Sequence, residues 1–172
     1  RLTYQQVNDA AALIDPGCEG VTILPFGNGA ERMLNNKMVG SHISGIDFNM
    51  HTDAHIFRAA QEGIAVAFKY GLDIMRENGM NPQVIRAGKA NMFLSEVFTE
   101  CFVNTLNVPV ELYNCDGSVG AAIGGGLGAK IYVDPKEAFE HFKPVRVIEP
   151  DGKNNYEVHY NKWLTQLKKQ LN

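Results

Sequence analysis

Between Thr52 and Glu77 the apolar residues Ile56, Ala60, Ile64, Ala67 and Ile74 recur at helical spacing with no proline among them. Thr52 is placed to cap this helix, Asp53 puts a negative charge in its first turn, and Gly79 supplies the stop. Helices draw most of their stability from packing an apolar face, so a segment this long is expected to be central to the fold. Around it, strands and helices alternate. A helix over Thr3–Ile14, capped by Thr3, ends at Asp15-Pro16-Gly17, and a buried strand over Val21–Phe26 leads through Gly27-Asn28-Gly29 into a loop that carries Glu31 and Arg32 and extends to about Gly40. After the long helix come a strand at Gln83–Arg86, a turn at Ala87–Asn91, and an amphipathic helix with Phe93, Val97, Phe102 and Leu106. Then follow a strand at Val108–Tyr113 and a helix opened by Asp116–Gly120, whose Gly120, Gly124 and Gly128 are expected to permit close packing. A helix from Pro135 to His141, a strand at Pro144–Ile148 and a terminal helix at Tyr156–Leu171 complete the order. The alternation implies an α/β class, with no internal repeat and no linker dividing the chain.

Composition narrows the partners. The 172 residues suffice for one domain with a core, and 45% hydrophobic with 20% charged residues is globular composition. A net charge of -3 without long runs leaves no basic face for a phosphate backbone, so nucleic acid is not an expected partner. No apolar stretch has bilayer-spanning length and no signal-peptide pattern opens the chain, which makes a membrane partner unexpected and predicts a cytoplasmic location. Cys18, Cys101 and Cys115 are odd in number and lack C-x-x-C spacing, so neither a disulfide framework nor a zinc knuckle is suggested. Residue 1 is Arg, and the chain is expected to be a piece of something longer.

Few residues announce chemistry. His51 and His55 are four apart, but Thr52-Asp53-Ala54 between them is not the metalloprotease arrangement, and a structural or surface role is expected. Cys101 beside Phe98 and Phe102 reads as core, and no G-x-S-x-G element occurs. Arg58 and Glu62 are i,i+4, a spacing that predicts a helix salt bridge of a few tenths of a kcal/mol. Asp47, Asp53, Asp116 and Asp134 read as caps or loop residues. Of two glycine-containing elements, Gly124-Gly125-Gly126-Leu127-Gly128 follows no strand directly and reads as helix packing. The other, Arg86-Ala87-Gly88-Lys89-Ala90-Asn91, lies between a strand and a helix, where small residues let a ligand approach the backbone. It lacks the upstream Gly and following Ser or Thr of a P-loop, and on its own it fits nucleotide contact and simple structure equally.

In combination these pieces resemble the FGGY family of carbohydrate kinases. Leu24-Pro25-Phe26 with Gly29 and Glu31-Arg32 is similar to that family's LPYLxGERTP segment, with Met33-Leu34 in place of its Thr-Pro. Gly45-Ile46 resembles its FGL element, and Arg58-Ala59-Ala60-Gln61-Glu62-Gly63-Ile64 its RAxxEG helix. Arg86 to Asn91 occupies the place of its GGGAxS/N adenosine turn, and Gly117-Ser118-Val119-Gly120-Ala121-Ala122 resembles its xALGAA segment. The series runs in family order from about Val21 to Tyr132, nearest to the members that phosphorylate xylulose.

The resemblance implies an actin/hexokinase/Hsp70-like (ribonuclease H-like) nucleotide-binding lobe, a central sheet flanked by helices. Residues 1–172 would be the C-terminal part of the second domain, with the first, sugar-binding domain absent. It implies an ATP-dependent kinase of a ketose such as D-xylulose, using ATP with Mg²⁺ and releasing ADP, with the catalytic groups in the missing domain and the fragment alone inactive. Gly88 and Asn91 would sit beside the adenosine and α-phosphate, Arg86 and Ala87 would replace family glycines there, Gly45 would line the adenine side, and Asp116 to Gly120 would support the turn. No catalytic or metal-binding residue is expected among these residues, and a homodimer is left open. The alternative is a non-catalytic binding or regulatory module that keeps the kinase-domain fold.

Overall fold

The computed structural model describes residues 1–172. Its axis is α2 (Asp53–Glu77), flanked by α1 (Tyr4–Ala12) and α3 (Glu96–Leu106), with β1 (Thr22–Pro25) crossing it. Gly63 is required at that crossing, because a Cβ there would run into the Ile23 carbonyl oxygen. Of the predicted stripe on α2 only Ala67 is buried. Ile56, Ile64 and Ile74 are half-buried, whereas Ala59, Ala65, Val66 and Leu72 go inside with His55, Arg58, Gln61 and Glu62. A helix packed on several sides buries more than one stripe, and its small residues are where neighbours come closest.

Arg58 and Glu62 form the expected i,i+4 salt bridge, but inside the protein rather than on its surface. They are 4% and 7% exposed, Arg58 Nε donates to Glu62 Oε1 at 2.7 Å, and Arg58 Nη1 donates to the Ile14 carbonyl at 2.7 Å. Glu62 also accepts from the Gly17 amide, at 3.0 and 3.2 Å to its two oxygens. Burial opposes the Arg58 charge, but the hydrogen bond and charge of Glu62 outweigh it and hold the guanidinium above its ordinary value. The pair clamps the turn between α1 and β1, where Gly17, Cys18 and Glu19 all take positive φ.

β1 pairs antiparallel with β2 (Ser41–Ser44), a strand the sequence did not announce. The second sheet is β3 (Ile85–Gly88), β4 (Val110–Tyr113) and β5 (Arg146–Ile148) in that order, with β3 and β4 parallel and β5 antiparallel. One sheet face, through Val110 and Leu112, packs on Phe98, Phe102, Val103 and Leu106 of α3. Cys101 is fully buried in the same core, as its sequence neighbours predict. A second core joins Leu24, Phe26, Leu34 and Val66 to Tyr160, Trp163 and Leu167 of α6 (Tyr156–Leu171). The Trp163 indole donates to the Ile23 carbonyl at 2.9 Å.

The other sheet face, carrying Arg86, Glu111 and Val147 in register, is bordered by α4 (Gly117–Gly128) and α5 (Pro135–Phe139). The architecture is therefore the expected α/β sheet flanked by helices. Gly120, Gly124 and Gly128 do not pack closely, since a Cβ at any of them would meet nothing within 4 Å; in that run only Gly126 abuts a neighbour, the Tyr132 ring. Nor does α3 begin near Phe93, which belongs to a 3₁₀ turn at Asn91–Leu94; Ser95 caps α3 by accepting from Phe98 N. No helix is long and apolar enough to cross a membrane.

Candidate functional site

In open α/β sheets ligands bind in the crevice outside the carboxyl ends of parallel strands. Here β3 and β4 end side by side at Gly88 and Tyr113, and the Tyr113 carbonyl accepts from both Lys89 N and Cys115 N at 2.8 Å. Two hollows meet at this point. The larger, about 750 Å³, lies over the open sheet face, between Arg86 and Tyr113 on the strands, Val119 and Ile123 on α4, and Phe139 and Phe142 at α5. The smaller, about 400 Å³, lies toward α2 and the 3₁₀ turn, bordered by Phe68, Asn91, Met92 and Phe93. Ala87, Gly88, Cys115 and Asp116 border both.

Polar groups in the groove are held by one another. Arg86 Nε donates to Glu111 Oε2 at 2.8 Å, and the Tyr113 hydroxyl donates to the same oxygen at 2.6 Å. The Tyr113 hydrogen bond, then that of Arg86, keeps the Glu111 carboxyl below its ordinary range. Asp116 caps α4: its Oδ1 accepts from Ser118 N at 2.9 Å, Ser118 Oγ at 2.5 Å and Val119 N at 3.4 Å, which hold the carboxyl low. Oδ2 accepts no hydrogen bond from the protein. The larger hollow carries two cations, Arg86 and Lys136, against two carboxylates, Asp116 and Glu140. Its walls are apolar and its charge is balanced, which suits a flat, weakly charged molecule better than a polyphosphate.

The structure brings together Arg86, Ala87, Gly88 and Asn91 but not Gly45. Gly45 ends the β1–β2 unit at φ +80°, where a Cβ would strike the Gly20 carbonyl oxygen, and it borders neither hollow. Ala87 and Gly88 belong with Arg86 to β3 rather than to a turn, because the strand lies two residues later than predicted. Gly88 is required by packing: a Cβ would collide with the Cys115 carbonyl oxygen. Asn91 takes the left-handed conformation at φ +51°. Val119 falls within the Asp116–Gly120 segment expected to support the turn, while Tyr113, Ile123, Phe139 and Phe142 were not anticipated; the one available signal was the period of two in β4, which sends Tyr113 to the face opposite Leu112.

His51 and His55 have local structural partners. The His55 ring accepts from Thr52 N at 3.0 Å, closing a capping box, and His51 Nδ1 accepts from Asp47 N at 2.8 Å. No group of three or more His, Cys, Asp or Glu is placed to hold a metal ion. Magnesium usually keeps several waters and binds through one or two carboxylates with substrate phosphates, so the residues described here do not by themselves build its site.

No family model matches the chain. In sequence it is similar to the xylulose kinase of Haemophilus influenzae, 27% identical over 176 residues that take in 96% of this chain and 34% of that protein. It is also 26% identical over 157 residues to the L-xylulose/3-keto-L-gulonate kinase of Escherichia coli, covering 87% of this chain and 30% of that one. Among solved structures it superposes on a ligand-bound xylulose kinase from Lactobacillus acidophilus with a TM-score of 0.82, at 20% identity, covering 97% of this chain and 34% of that one. A glycerol kinase from Plasmodium falciparum with ADP gives a TM-score of 0.76 at 21% identity, over 99% of this chain and 34% of that one. The chain thus spans about a third of the length of the curated relatives it matches. Over nearly all its length the chain is similar in sequence to a part of xylulose kinases, and it shares the fold of that part in the solved structures.

Proposed function

We propose that the groove at the carboxyl ends of β3 and β4 takes the nucleoside end of ATP in a carbohydrate kinase that phosphorylates a ketose such as D-xylulose. The observation that carries this reading is the joined pair of hollows around Ala87–Gly88 and Cys115–Asp116, apolar in its walls and balanced in charge. Residues 1–172 then supply the C-terminal part of the nucleotide-binding domain. Phosphoryl transfer needs an aligned acceptor, a base at its hydroxyl and positive charge on the transferring group. In the groove the two cations are offset by two carboxylates and no acceptor site is built, so in this reading the sugar site, the catalytic groups and the Mg²⁺–phosphate contacts lie outside it, and the 172-residue chain alone does not turn over.

The test fills the groove without disturbing the fold. Gly120 lines the larger hollow, and a Cβ there meets nothing within 4 Å. Gly120→Phe in the complete kinase should therefore weaken ATP binding by an order of magnitude or more in calorimetric titration while the thermal midpoint is preserved. Unchanged affinity would remove the groove from nucleotide binding. A coupled assay of the wild type against a panel of ketoses then names the sugar. One observation favours the second reading, a non-catalytic module with the kinase-domain fold: Arg86, tied to Glu111, lies over the sheet face where the resembling family has glycine. Absence of any ATP binding by the complete protein would select that reading.

A further inference from the structure

Two Asn-Gly pairs occur in the chain, Asn28-Gly29 and Asn78-Gly79. An asparagine followed by glycine can lose its side-chain amide without an enzyme. No Cβ on the next residue crowds the attack of its backbone nitrogen on the asparagine Cγ, and the glycine backbone bends freely to bring the two atoms together. The attack needs a side chain free to turn and a backbone N–H that no acceptor holds. By sequence the two pairs are equivalent, but the fold separates them.

Both asparagines are exposed, so water reaches each. Asn78 closes α2, and there every group that would react is engaged. Its Nδ2 donates to the Ile74 carbonyl at 2.8 Å, Gly79 N donates to the Arg76 carbonyl at 2.9 Å, and Met80 N donates to the Met75 carbonyl at 3.0 Å, the paired bonds that end a helix on a left-handed glycine. Asn28 lies in the bend after β1, where its side chain makes no hydrogen bond, Gly29 N has no acceptor, and a Cβ on Gly29 would meet nothing within 4 Å. Gly27 and Gly29 on either side have φ of +141° and +114°, so the bend is built from the residue whose backbone turns most easily.

We propose that Asn28 is a modification site that deamidates in the folded protein, with water as the second reactant, and that the end of α2 keeps Asn78 from the same reaction. The Gly29 nitrogen, its proton taken by solvent base, bonds to Asn28 Cγ; the Cγ–Nδ2 bond breaks and ammonia leaves with a proton from solvent, giving a five-membered cyclic imide. Water then adds to one of the two imide carbonyl carbons, and the bond from that carbon to the Gly29 nitrogen breaks. Opening at Cγ gives aspartate, and opening at the Asn28 backbone carbon gives isoaspartate, whose main chain runs through the side-chain carbon. Either product puts a carboxylate where the amide stood, so the net charge of -3 becomes one unit more negative. Isoaspartate also adds a methylene to the main chain just after Phe26, which is buried against Trp163. Nothing in this depends on the nucleotide reading of the groove.

The experiment ages the complete protein in mildly alkaline buffer, folded and in urea, and digests it with trypsin. Cleavage after Arg1, Arg32, Arg76 and Arg86 puts the two pairs in separate peptides, residues 2–32 and 77–86, in which mass spectrometry measures conversion and chromatography separates aspartate from isoaspartate. In the folded protein Asn28 should convert about tenfold faster than Asn78 or more, because Asn78 must wait for the hydrogen-bonded helix end to open. In urea the two should convert at similar rates, since each is then an Asn-Gly pair in an open chain. Isoelectric focusing of the folded, aged protein should show one more acidic species, absent from Asn28→Gln. The same ratio of rates in the folded protein as in urea, or an Asn28 that converts only in urea, overturns the inference.

Discussion

The Arg58–Glu62 pair offers the sharpest test of how the fold is held. An exposed i,i+4 pair is worth about 0.3–0.5 kcal/mol, and spacing alone predicts that value. Here the pair is buried, at 4% and 7% exposure, and is the only side-chain link from α2 to the turn at Ile14–Gly17. Arg58→Met removes the guanidinium and leaves the Glu62 carboxylate with only the Gly17 amide, while the Ile14 carbonyl loses its donor. Stranding a buried charge in this way costs about 3–5 kcal/mol. At about 2–4 °C per kcal/mol for a chain of this size, the thermal midpoint should fall by about 6–20 °C. Urea unfolding followed by circular dichroism measures the free energy directly. The companion variant Arg58→Met/Glu62→Leu also removes the stranded charge, so it should be no less stable than Arg58→Met despite carrying one more substitution. A loss below about 1 kcal/mol for the single variant, or a double variant whose loss is the simple sum of the two singles to within about 0.5 kcal/mol, would refute a buried, coupled pair.

Three further outcomes follow from the packing and the charges. Gly124→Ala, at an open helical position, should stabilise α4 by about 0.5–1 kcal/mol, whereas Gly88→Ala should destabilise and disturb the junction, because its Cβ meets the Cys115 carbonyl; paired thermal melts check both. Trp163→Ala should cost about 3–5 kcal/mol, since the indole is 2% exposed, packs against Phe26 and Tyr70, and donates to Ile23; far-ultraviolet circular dichroism reads this. Burial pushes the Asp73 carboxyl up, but hydrogen bonds from Lys69 and the Tyr160 hydroxyl, with the charges of Lys69 and Arg76, outweigh it and hold the group below its ordinary value near 3.8. As pH falls through the ordinary carboxylate range the unfolded chain therefore takes up its proton first, so this stability is present above that range and is lost below it; Asp73→Asn should flatten the acid limb of a stability–pH curve.

Element type was readable wherever one period dominated. The order of α2, β3, α3, β4, α4 and α6 follows from apolar spacing and stop signals, and the structure keeps it. Register was not readable, because it is set by partners distant in sequence. Asn81-Pro82 suggests a strand beginning at Gln83, yet Ile85 N donates to the Pro109 carbonyl at 2.9 Å, and pairing with Val110 places β3 at Ile85–Gly88. β2 left no trace because Ser41–Ser44 holds a single aliphatic residue, Ile43, which is 51% exposed; only its backbone pairing with β1 makes it a strand. The groove was half visible. Its floor at Ala87, Gly88 and Asn91 stands out as small and polar residues after a strand, while Val119, Ile123, Phe139 and Phe142 look like any other core-facing residues until the open sheet face is seen beneath them.

The strand placement of Arg86 and Ala87 also explains how the chain departs from the glycine-rich pattern it resembles without closing the site. Successive strand residues point to opposite faces. Ala87 therefore packs toward the α2–α3 core and Arg86 toward the open face, where Glu111, directly across the ladder, draws its guanidinium along the sheet. At Gly88, by contrast, a Cβ would collide with the Cys115 carbonyl oxygen, so that position has no room for a side chain. The departure thus falls where a side chain has room and an ion-pair partner. What it changes is electrostatic: an arginine paired with Glu111 gives the groove a polar edge without a net positive charge.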